Sequence, residues 1–338
     1  MNARFEEEQA IGQGAMGQVH KALDPRLRRT VAVKTLLLDD ESSKARFIRE
    51  AQVTGSLEHP AVPPVYELGQ HEDGTPYFAL KLLEGETLEA VCQRLCDGDA
   101  ATHAEYPFSR RLQICLRICE ALEFAHAKNI IHRDLKPENV MLGHYGEVWL
   151  VDWGLAREPE TAAGEARLTQ ENSFVGTPAF AAPEQIAGEA NFKTDQYSFG
   201  ALMYYLFTLQ PPHPGKTAME ALTSLLNGNI KSAESFKHPI QGRVPREICR
   251  LIHRCLAREP EERFDNLNQV GAELQALVDG DVPAVCPHTT VKKGLTKLAH
   301  IIDNHGLWLG PILLVWLAYP LKDILGLIID LISRAMAP

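Results

Sequence analysis

Three side chains that could contact a phosphate or a metal ion lie within six residues of one another in the segment His-Arg-Asp-Leu-Lys-Pro-Glu-Asn. They are Asp134, Lys136 and Asn139, and the proline between them prevents a regular helix. Eighteen residues after Asp134, Asp152 follows the apolar run Val-Trp-Leu-Val. Phosphoryl transfer needs a carboxylate to orient a hydroxyl, ligands for a metal ion and cations for the developing charge. These residues supply that set, so they indicate phosphoryl-transfer chemistry.

A glycine-rich segment near the N-terminus follows Ile11 and reads G-x-G-x-x-G-x-V, with Gly12, Gly14, Gly17 and Val19 at the named positions. Glycines let backbone N–H groups approach phosphates without an intervening side chain. Dinucleotide-binding folds use the same spacing, but there the last glycine opens a helix. Residues typical of β-strands follow here instead, which favours a hairpin folded over phosphates.

Lys34 ends an apolar strand, so its ammonium group is expected inside the β-rich unit, where a buried cation needs a partner. The helical stretch after it, near residues 42–57, places Glu50 on one stripe with Phe47 and Ala51. A carboxylate on an apolar stripe is costly unless it is paired, so we expect a Lys34–Glu50 ion pair. The alternative is that Glu50 is a solvated charge on the helix surface.

The segments that carry these groups change character along the chain. The first eighty residues alternate as strands do, apart from the helical stretch, whereas residues from about Glu84 onward show helical periodicity. A loop-rich region, 130–184, separates two helical blocks, and a polar stretch, 280–290, contains two prolines and is typical of a linker. The sequence therefore predicts a small β-rich unit followed by a larger helical one.

Composition limits the partners and the compartment. The formal net charge is −10, which argues against nucleic acid as a partner because phosphate backbones attract basic surfaces. The seven cysteines are an odd number, and residues 1–8 contain no apolar run. Both features predict a cytoplasmic protein.

With these motifs the chain resembles the eukaryotic-type protein kinase family, in particular its bacterial Ser/Thr branch, from about Phe5 to Val278. The resemblance implies an α+β, two-lobed fold, with a small β-rich N-lobe over residues 5–83 and a larger α-helical C-lobe over 84–278. A linker, 279–300, and a hydrophobic tail, 301–338, would follow.

The resemblance also implies a role for each motif residue. Asp134 would orient the substrate hydroxyl and accept its proton, and Lys136 would contact the γ-phosphate of ATP. Asn139 and Asp152 would hold Mg²⁺, with Mn²⁺ as an alternative. The residues implied for ATP binding are Ile11, Gly12, Gly14, Gly17, Val19, Ala32, Lys34, Glu50, Leu80, Leu83 and Met141. Among them Leu80 would be the gatekeeper at the back of the adenine pocket.

Other implied roles are structural. Glu184, in an Ala-Pro-Glu motif, would pair with Arg263, and Asp195 would brace the catalytic loop. Lys136 and the Gly-Thr-Pro motif at 176–178 are similar to those of Ser/Thr rather than Tyr kinases. The expected substrates are therefore Ser and Thr hydroxyls of proteins.

The chain departs from the family pattern at Trp153, which stands where a Phe is usual after the metal-binding Asp.

Regulation is expected to involve Arg133, because an arginine at this position often binds a phosphate on the activation segment. Thr169 is the expected autophosphorylation site, and Glu171 would supply part of a second negative charge. The alternative is that Thr169 is an exposed threonine in a surface loop.

The tail contains sixteen consecutive uncharged residues, Gly306 to Leu321, which as a helix would reach about 24 Å, short of the ~30 Å bilayer core. Three lysines lie between residues 292 and 297, on its N-terminal side. We expect residues 306–338 to attach the kinase to the inner face of the cell membrane, as a short span or an interfacial segment. The alternative is a tail that packs on the kinase or on a second copy.

Three classes of function remain open at this point. The leading one is an active Ser/Thr protein kinase, with a homodimer as the form that would phosphorylate itself in trans. The second is a catalytically weak scaffold with a kinase fold; such scaffolds usually lack at least one of Lys34, Asp134, Asn139 and Asp152. The third is a small-molecule phosphotransferase, which would not need the peptide-docking segment expected at 176–184.

Overall fold

The computed structural model describes residues 4–14, 17–157 and 178–281. The chain divides into two units, Met1–Asp279 and Gly280–Pro338, and all but the first two residues of the second lie outside the described ranges. The architecture of the first unit is α+β: a β-sheet lobe comes first and a helical lobe follows.

The N-lobe is built on a five-stranded antiparallel sheet. Its strands are β1 (Glu6–Gln13), β2 (Gly17–Asp24), β3 (Arg29–Leu36), β4 (Val65–Gln70) and β5 (Pro76–Lys81), in the order β1-β2-β3-β5-β4. Val31 and Val33 on the central strand β3 are fully buried, and they pack with Ala22, Ala79 and Tyr77. Because side chains alternate along a strand, this sheet holds Lys34 at a defined register beside Phe78.

Helix α1 (Glu41–Ser56) crosses the sheet and carries the inward stripe that the sequence predicts. It begins one residue earlier than expected, because the carboxylate of Asp40 caps it by accepting a hydrogen bond from the backbone N–H of Ser43. Phe47 and Ala51 are buried against Phe78 of β5. Glu50 therefore points into the lobe.

The C-lobe is mainly helical. Its described helices are α2 (Leu88–Cys96), α3 (Ala100–Glu105), α4 (Phe108–Ala127), α5 (Pro183–Ile186), α6 (Phe192–Thr208), α7 (Ala218–Asn227), α8 (Arg246–Cys255) and α9 (Leu267–Val278). Every residue of α6 from Thr194 to Thr208 is buried, so α6 is the central helix of this lobe. A helix that is buried on all sides can serve as a rigid anchor for the loops around it.

Two small sheets complete the lobe. One contains β6 (Gly85–Thr87), β7 (Val140–Gly143) and β8 (Val148–Leu150), and the other pairs β9 (Lys237–His238) with β10 (Gly242–Arg243). The segment from α4 to β7 contains Asp134, and Asp152 lies two residues after the end of β8. Because β7 and β8 are paired, they bring the two ends of these segments together.

Among residues 4–14, 17–157 and 178–281, no helix is both long enough and apolar enough to cross a bilayer. The tail expected to contact the membrane, 306–338, lies outside these residues, as do most of the linker and the threonine at position 169.

Candidate active site

The catalytic loop gathers its polar side chains around the carboxylate of Asp134. The ammonium of Lys136 donates to Oδ2 of Asp134 at 2.9 Å. The amide Nδ2 of Asn139 donates to the backbone carbonyl of Asp134 at 2.8 Å and to Oδ2 at 3.2 Å. A one-turn 3-10 helix, Pro137–Asn139, lets the chain bend back far enough for these contacts. The structure thus brings together three residues that the sequence singled out.

Asp195 holds the backbone of this loop from the central helix α6. Its carboxylate accepts hydrogen bonds from the backbone N–H groups of His132 at 2.8 Å and Arg133 at 2.9 Å. Nε2 of His126, on α4, lies 2.8 Å from the same carboxylate. Burial by itself raises the pKa of the Asp195 carboxyl, but the hydrogen bonds and charge of its histidine neighbours outweigh burial and lower it. The carboxylate is therefore ionised and can hold the loop.

Lys34 and Glu50 form the expected ion pair, with 2.5 Å between Nζ and Oε1. Glu50 is buried, and burial raises the pKa of its carboxyl. The charge of Lys34 lowers this pKa, and the charge of the nearby Asp152 raises it further. Such a pair fixes the position of a cation inside the lobe, because separating its members would leave a buried charge unpaired.

Asp152 and Trp153 follow β8 in a strained turn. Asp152 has a φ of 63°, and Arg133 in the catalytic loop has a φ of 69°. Left-handed backbone is costly for residues with a side chain, and such strain concentrates at functional sites. Trp153 is fully buried, and its indole N–H donates to the carbonyl of Leu150 at 3.2 Å. Its ring contacts the imidazole of His132 with 4.5 Å between ring centroids.

Burial lowers the pKa of His132, and the carboxylates of Asp195, Asp134 and Asp152 oppose that effect. The imidazole against Trp153 is therefore neutral at pH 7. A neutral ring packs more favourably against a buried indole than a cation with no water around it.

The glycine-rich hairpin closes over the sheet at β1 and β2. Gly12 pairs with Val19, and the N–H of Gly14 donates to the carbonyl of Gly17 at 2.8 Å. A Cβ on Gly17 would lie 2.9 Å from the backbone carbonyl of Thr35, so this position has no room for a side chain. Ile11 is about half exposed on the same strand.

The remaining residues expected at the nucleotide lie on four elements. Val19 on β2 faces Lys34 in the strand register, and Ala32 on β3 pairs with Leu80 on β5. Leu83 lies in the segment between β5 and β6, and Met141 lies on β7. Strands β2, β3 and β5 belong to the N-lobe sheet, and β7 belongs to the three-stranded sheet of the C-lobe.

Glu184 and Arg263 meet in a buried bidentate ion pair, with N–O distances of 2.6 and 3.0 Å. Arg263 is 1% exposed and also donates to the carbonyls of Ala257, Lys193 and Arg258. The pair joins the end of the activation segment to the base of the lobe. The segment itself, 158–177, lies outside the described residues, and with it Thr169, Glu171 and most of the Gly-Thr-Pro motif.

The donor atoms fit a magnesium ion. Nδ2 of Asn139 is committed to Asp134, which leaves its carbonyl Oδ1 for a ligand. Asp152 supplies a carboxylate, of which one oxygen accepts a long hydrogen bond, 3.4 Å, from the backbone of Gly154. Amide and carboxylate oxygens are the ligands that Mg²⁺ prefers.

Two contacts that position the loop were not predicted from the sequence. One is His126 on Asp195, and the other is Gln185, whose Nε2 donates to the carbonyl of Arg133 at 2.7 Å. Each joins residues more than fifty positions apart. The only signal in the sequence is the polar character of two helix positions, and that signal does not identify a partner.

Comparisons with known proteins agree with this geometry. The family model described as "Protein kinase domain" matches residues 5–272. The chain is similar to serine/threonine-protein kinase PknD of Protochlamydia amoebophila, with 31% identity over 296 residues, covering 80% of this chain and 29% of the relative. It is also similar to a probable serine/threonine-protein kinase of Streptomyces coelicolor (32% identity, 83% of this chain and 41% of the relative). A third relative is serine/threonine-protein kinase PknB of Mycolicibacterium smegmatis (31% identity, 84% of this chain and 44% of the relative). The chain thus spans less than half the length of each of these relatives.

Proposed function

We propose that this chain, which belongs to the protein kinase family, transfers the γ-phosphoryl group of ATP to Ser and Thr hydroxyls of proteins. The observation that carries the proposal is the convergence of Lys136 and Asn139 on one carboxylate of Asp134. That loop is anchored by Asp195, and the buried Lys34–Glu50 pair lies in the facing lobe. Names of the relatives and the Lys at position 136 support Ser/Thr as the acceptor residues.

The chemistry assigned to each residue follows from its surroundings. Asp134 orients the substrate hydroxyl and accepts its proton as the oxygen forms a bond to the γ-phosphorus. The bond from that phosphorus to the bridging oxygen breaks, and ADP leaves with the electron pair. Lys136, which already lies 2.9 Å from Asp134, offsets the negative charge that develops on the transferred group.

Lys34 holds the α- and β-phosphates, and the hairpin of Gly12, Gly14 and Gly17 covers them with backbone N–H groups. Asn139 and Asp152 hold Mg²⁺, which when bound neutralises phosphate charge. Val19, Ala32 and Met141 enclose the adenine base, with Leu80 as the gatekeeper.

The test measures transfer of radiolabelled phosphate from ATP, with Mg²⁺, to a generic protein substrate. Asp134→Ala should lower the rate at least about a hundredfold, because it removes the general base. Asp73→Ala is the matched control, since Asp73 is exposed in the turn after β4 and should leave the rate unchanged. No transfer by either the wild type or the control would overturn the proposal and favour the scaffold function.

Identification of the phosphorylated amino acids separates the remaining class. Acid hydrolysis of the labelled product should release phosphoserine and phosphothreonine. Label found only in a small hydroxyl compound would instead identify a small-molecule phosphotransferase.

Regulation of this activity is proposed to depend on Thr169, with Arg133 as the residue that binds its phosphate. The carbonyl of Arg133 is held by Gln185, and its N–H by Asp195, so a phosphate bound to its side chain could reach the catalytic loop directly. Phosphopeptide mapping of active protein should find phosphate on Thr169. An active protein with unmodified Thr169 would contradict this.

Attachment to the inner face of the cell membrane is proposed for residues 306–338, with the kinase domain, 5–278, on the cytoplasmic side. The support is the uncharged run from Gly306 to Leu321 and the lysines that precede it. Fractionation of cells should find the full chain with the membrane, and a chain ending at Gly306 in the soluble fraction. Sedimentation of the same two purified chains would show whether a homodimer depends on the tail. If both chains divide equally between the membrane and soluble fractions of the cell, a membrane role of the tail is refuted.

A further inference from the structure

A lysine of the N-lobe packs on a tryptophan of the C-lobe. The ammonium of Lys81 lies 4.4 Å from the centroid of the Trp149 ring. Lys81 is the last residue of β5, and Trp149 is the middle residue of β8. A cation over the face of an indole ring is attracted by the negative charge of that face. The contact therefore joins the two lobes, and we call it the interlobe pair.

Each member of the interlobe pair is held by a backbone hydrogen bond at or beside it. The N–H of Lys81 donates to the carbonyl of Pro64 at 3.1 Å. The N–H of Leu150, the residue after Trp149, donates to the carbonyl of Ala61 at 2.7 Å. Both acceptors lie in the N-lobe segment between α1 and β4. One short segment thus holds the strand ends that carry the lysine and the tryptophan, which favours a fixed distance between them.

The two members lie next to residues that enclose the adenine base in the proposed function. We call the space between Ala32 and Met141 the adenine slot. Lys81 directly follows Leu80, and Trp149 lies opposite Met141 in the register of β7 and β8. Directly opposite residues of an antiparallel pair lie on the same face of the sheet. A shift of one lobe against the other would therefore change the width of the slot and separate the ammonium from the ring.

Glu147 adds a negative charge on the C-lobe side of the interlobe pair. It lies two residues before Trp149, and its exposed carboxylate accepts a hydrogen bond from the N–H of Tyr145 at 2.9 Å. Backbone hydrogen bonds are the main cause that lowers the pKa of this carboxyl, and the charge of Lys81 lowers it further. The C-lobe thus attracts Lys81 through a ring in contact and a carboxylate at longer range.

We propose that Lys81 and Trp149 are a positioning pair that sets the width of the adenine slot and thereby the affinity for ATP. The inference rests on the proposed function, because it takes Leu80 and Met141 as neighbours of the adenine base. Neither member of the pair belongs to the residues assigned above to the phosphates, the metal ion or phosphoryl transfer.

Loss of the interlobe pair should weaken nucleotide binding and leave the chemical step unchanged. Without the contact the lobes can adopt other spacings, so a smaller fraction of the molecules can accept the base, and the apparent Kd rises by the inverse of that fraction. The contribution of an exposed cation–π contact corresponds to a change of about two- to fivefold in Kd. The kcat at saturating ATP should stay the same, because bound ATP restores the spacing and the pair touches no reacting atom.

The experiment is titration calorimetry of the full chain with ADP and Mg²⁺. Lys81→Gln removes the charge and Trp149→Leu removes the ring, so each should raise the Kd about two- to fivefold. Lys81→Arg should keep the Kd within about twofold of the wild type, because a guanidinium also packs on an indole ring. Lys231→Gln is the matched control: its ammonium lies 4.6 Å from the ring of Phe236, but both residues belong to the C-lobe, and the Kd should not change.

A double variant and steady-state kinetics distinguish a positioning role from a merely structural one. The Kd of Lys81→Gln/Trp149→Leu should be no higher than that of the weaker-binding single variant, because the pair can be lost only once. The KM for ATP should rise in the same variants while kcat stays at the wild-type value. Circular dichroism confirms that each variant is folded, and Lys81→Gln, at a partly exposed position, keeps the test decisive if Trp149→Leu does not fold.

The outcomes separate this inference from the proposed function. ADP binding by the wild type with an equal Kd in Lys81→Gln would overturn the inference alone. So would a Kd in the double variant that multiplies the two single effects, or a fall in kcat with an unchanged KM. Absence of ADP binding by the wild type would overturn the proposed function as well.

Discussion

Replacement of Trp153 by Phe tests whether this unusual residue locks the metal-binding turn in place. The side chain is 1% exposed, and its indole N–H donates to the carbonyl of Leu150 at 3.2 Å. Phe keeps an aromatic ring against His132 but cannot make that hydrogen bond. The variant also leaves a gap, because Phe is smaller than Trp.

The cost can be worked out from these two losses. A net intramolecular hydrogen bond contributes about 1 kcal/mol to the free energy of unfolding. The lost ring atoms remove about 40 Å² of buried surface, which at about 25 cal/mol per Å² is a further ~1 kcal/mol. An unfilled gap adds up to about 1 kcal/mol. We therefore expect Trp153→Phe to lower the free energy of unfolding by about 2–3 kcal/mol.

Urea denaturation of the wild type and the variant measures this difference. Trp149→Phe is the matched control, because Trp149 is only partly buried and its ring lies against the ammonium of Lys81 at 4.4 Å. That change should cost less than about 1 kcal/mol. If the two variants lose the same stability, the hydrogen bond and the packing of Trp153 do not lock the turn, and the reasoning fails.

Three further changes have definite expected outcomes. Arg263→Met leaves the Glu184 carboxylate buried without its partner and should lower the free energy of unfolding, measured by urea denaturation, by about 3–5 kcal/mol. The double variant Arg263→Met/Glu184→Leu should lose less stability than this single variant. A larger loss in the double variant would contradict the argument. Burial lowers the pKa of His213 from 6.5 to about 4. Between these two pH values the unfolded chain binds a proton that the folded chain does not. The free energy of unfolding therefore falls as the pH drops from 6.5 to about 4. His213→Gln should reduce the loss of unfolding free energy between pH 7 and pH 5 by about 1–2 kcal/mol, and an unchanged pH dependence would refute this. Gly85→Ala should cost about 3 kcal/mol, because Gly85 has a φ of 145° and a Cβ there would lie 2.0 Å from the carbonyl of Leu142; a cost below about 1 kcal/mol in the same denaturation assay would show that the strand shifts freely.

Much of the candidate site could be read from local patterns. The residues of the catalytic loop are close in sequence, so Asp134, Lys136 and Asn139 could hardly lie far apart in any fold. Glu50 could be placed on an inward face because helical periodicity places it with Phe47 and Ala51, and the structure buries all three. The pairing of Glu184 with Arg263 came from resemblance to a family, since 79 residues separate them and no local pattern links them.

Contacts between distant side chains required the structure. The hydrogen bond between Trp153 and Leu150 depends on the turn after β8, where Asp152 has a left-handed backbone conformation. An Asp in a sequence does not by itself predict that conformation. His126 meets Asp195 only because α4 and α6 pack against each other. Periodicity can show which face of each helix is inward but not which residues of two such faces meet.

By itself, the sequence determined the chemical groups, their order and the type of element that carries each, because composition and spacing act over a few residues. Only the tertiary structure decided that His126 meets the carboxylate of Asp195 and that Gln185 holds the carbonyl of Arg133. These contacts join elements from distant parts of the chain, and the packing of their side chains decides which residues meet, which no single segment encodes.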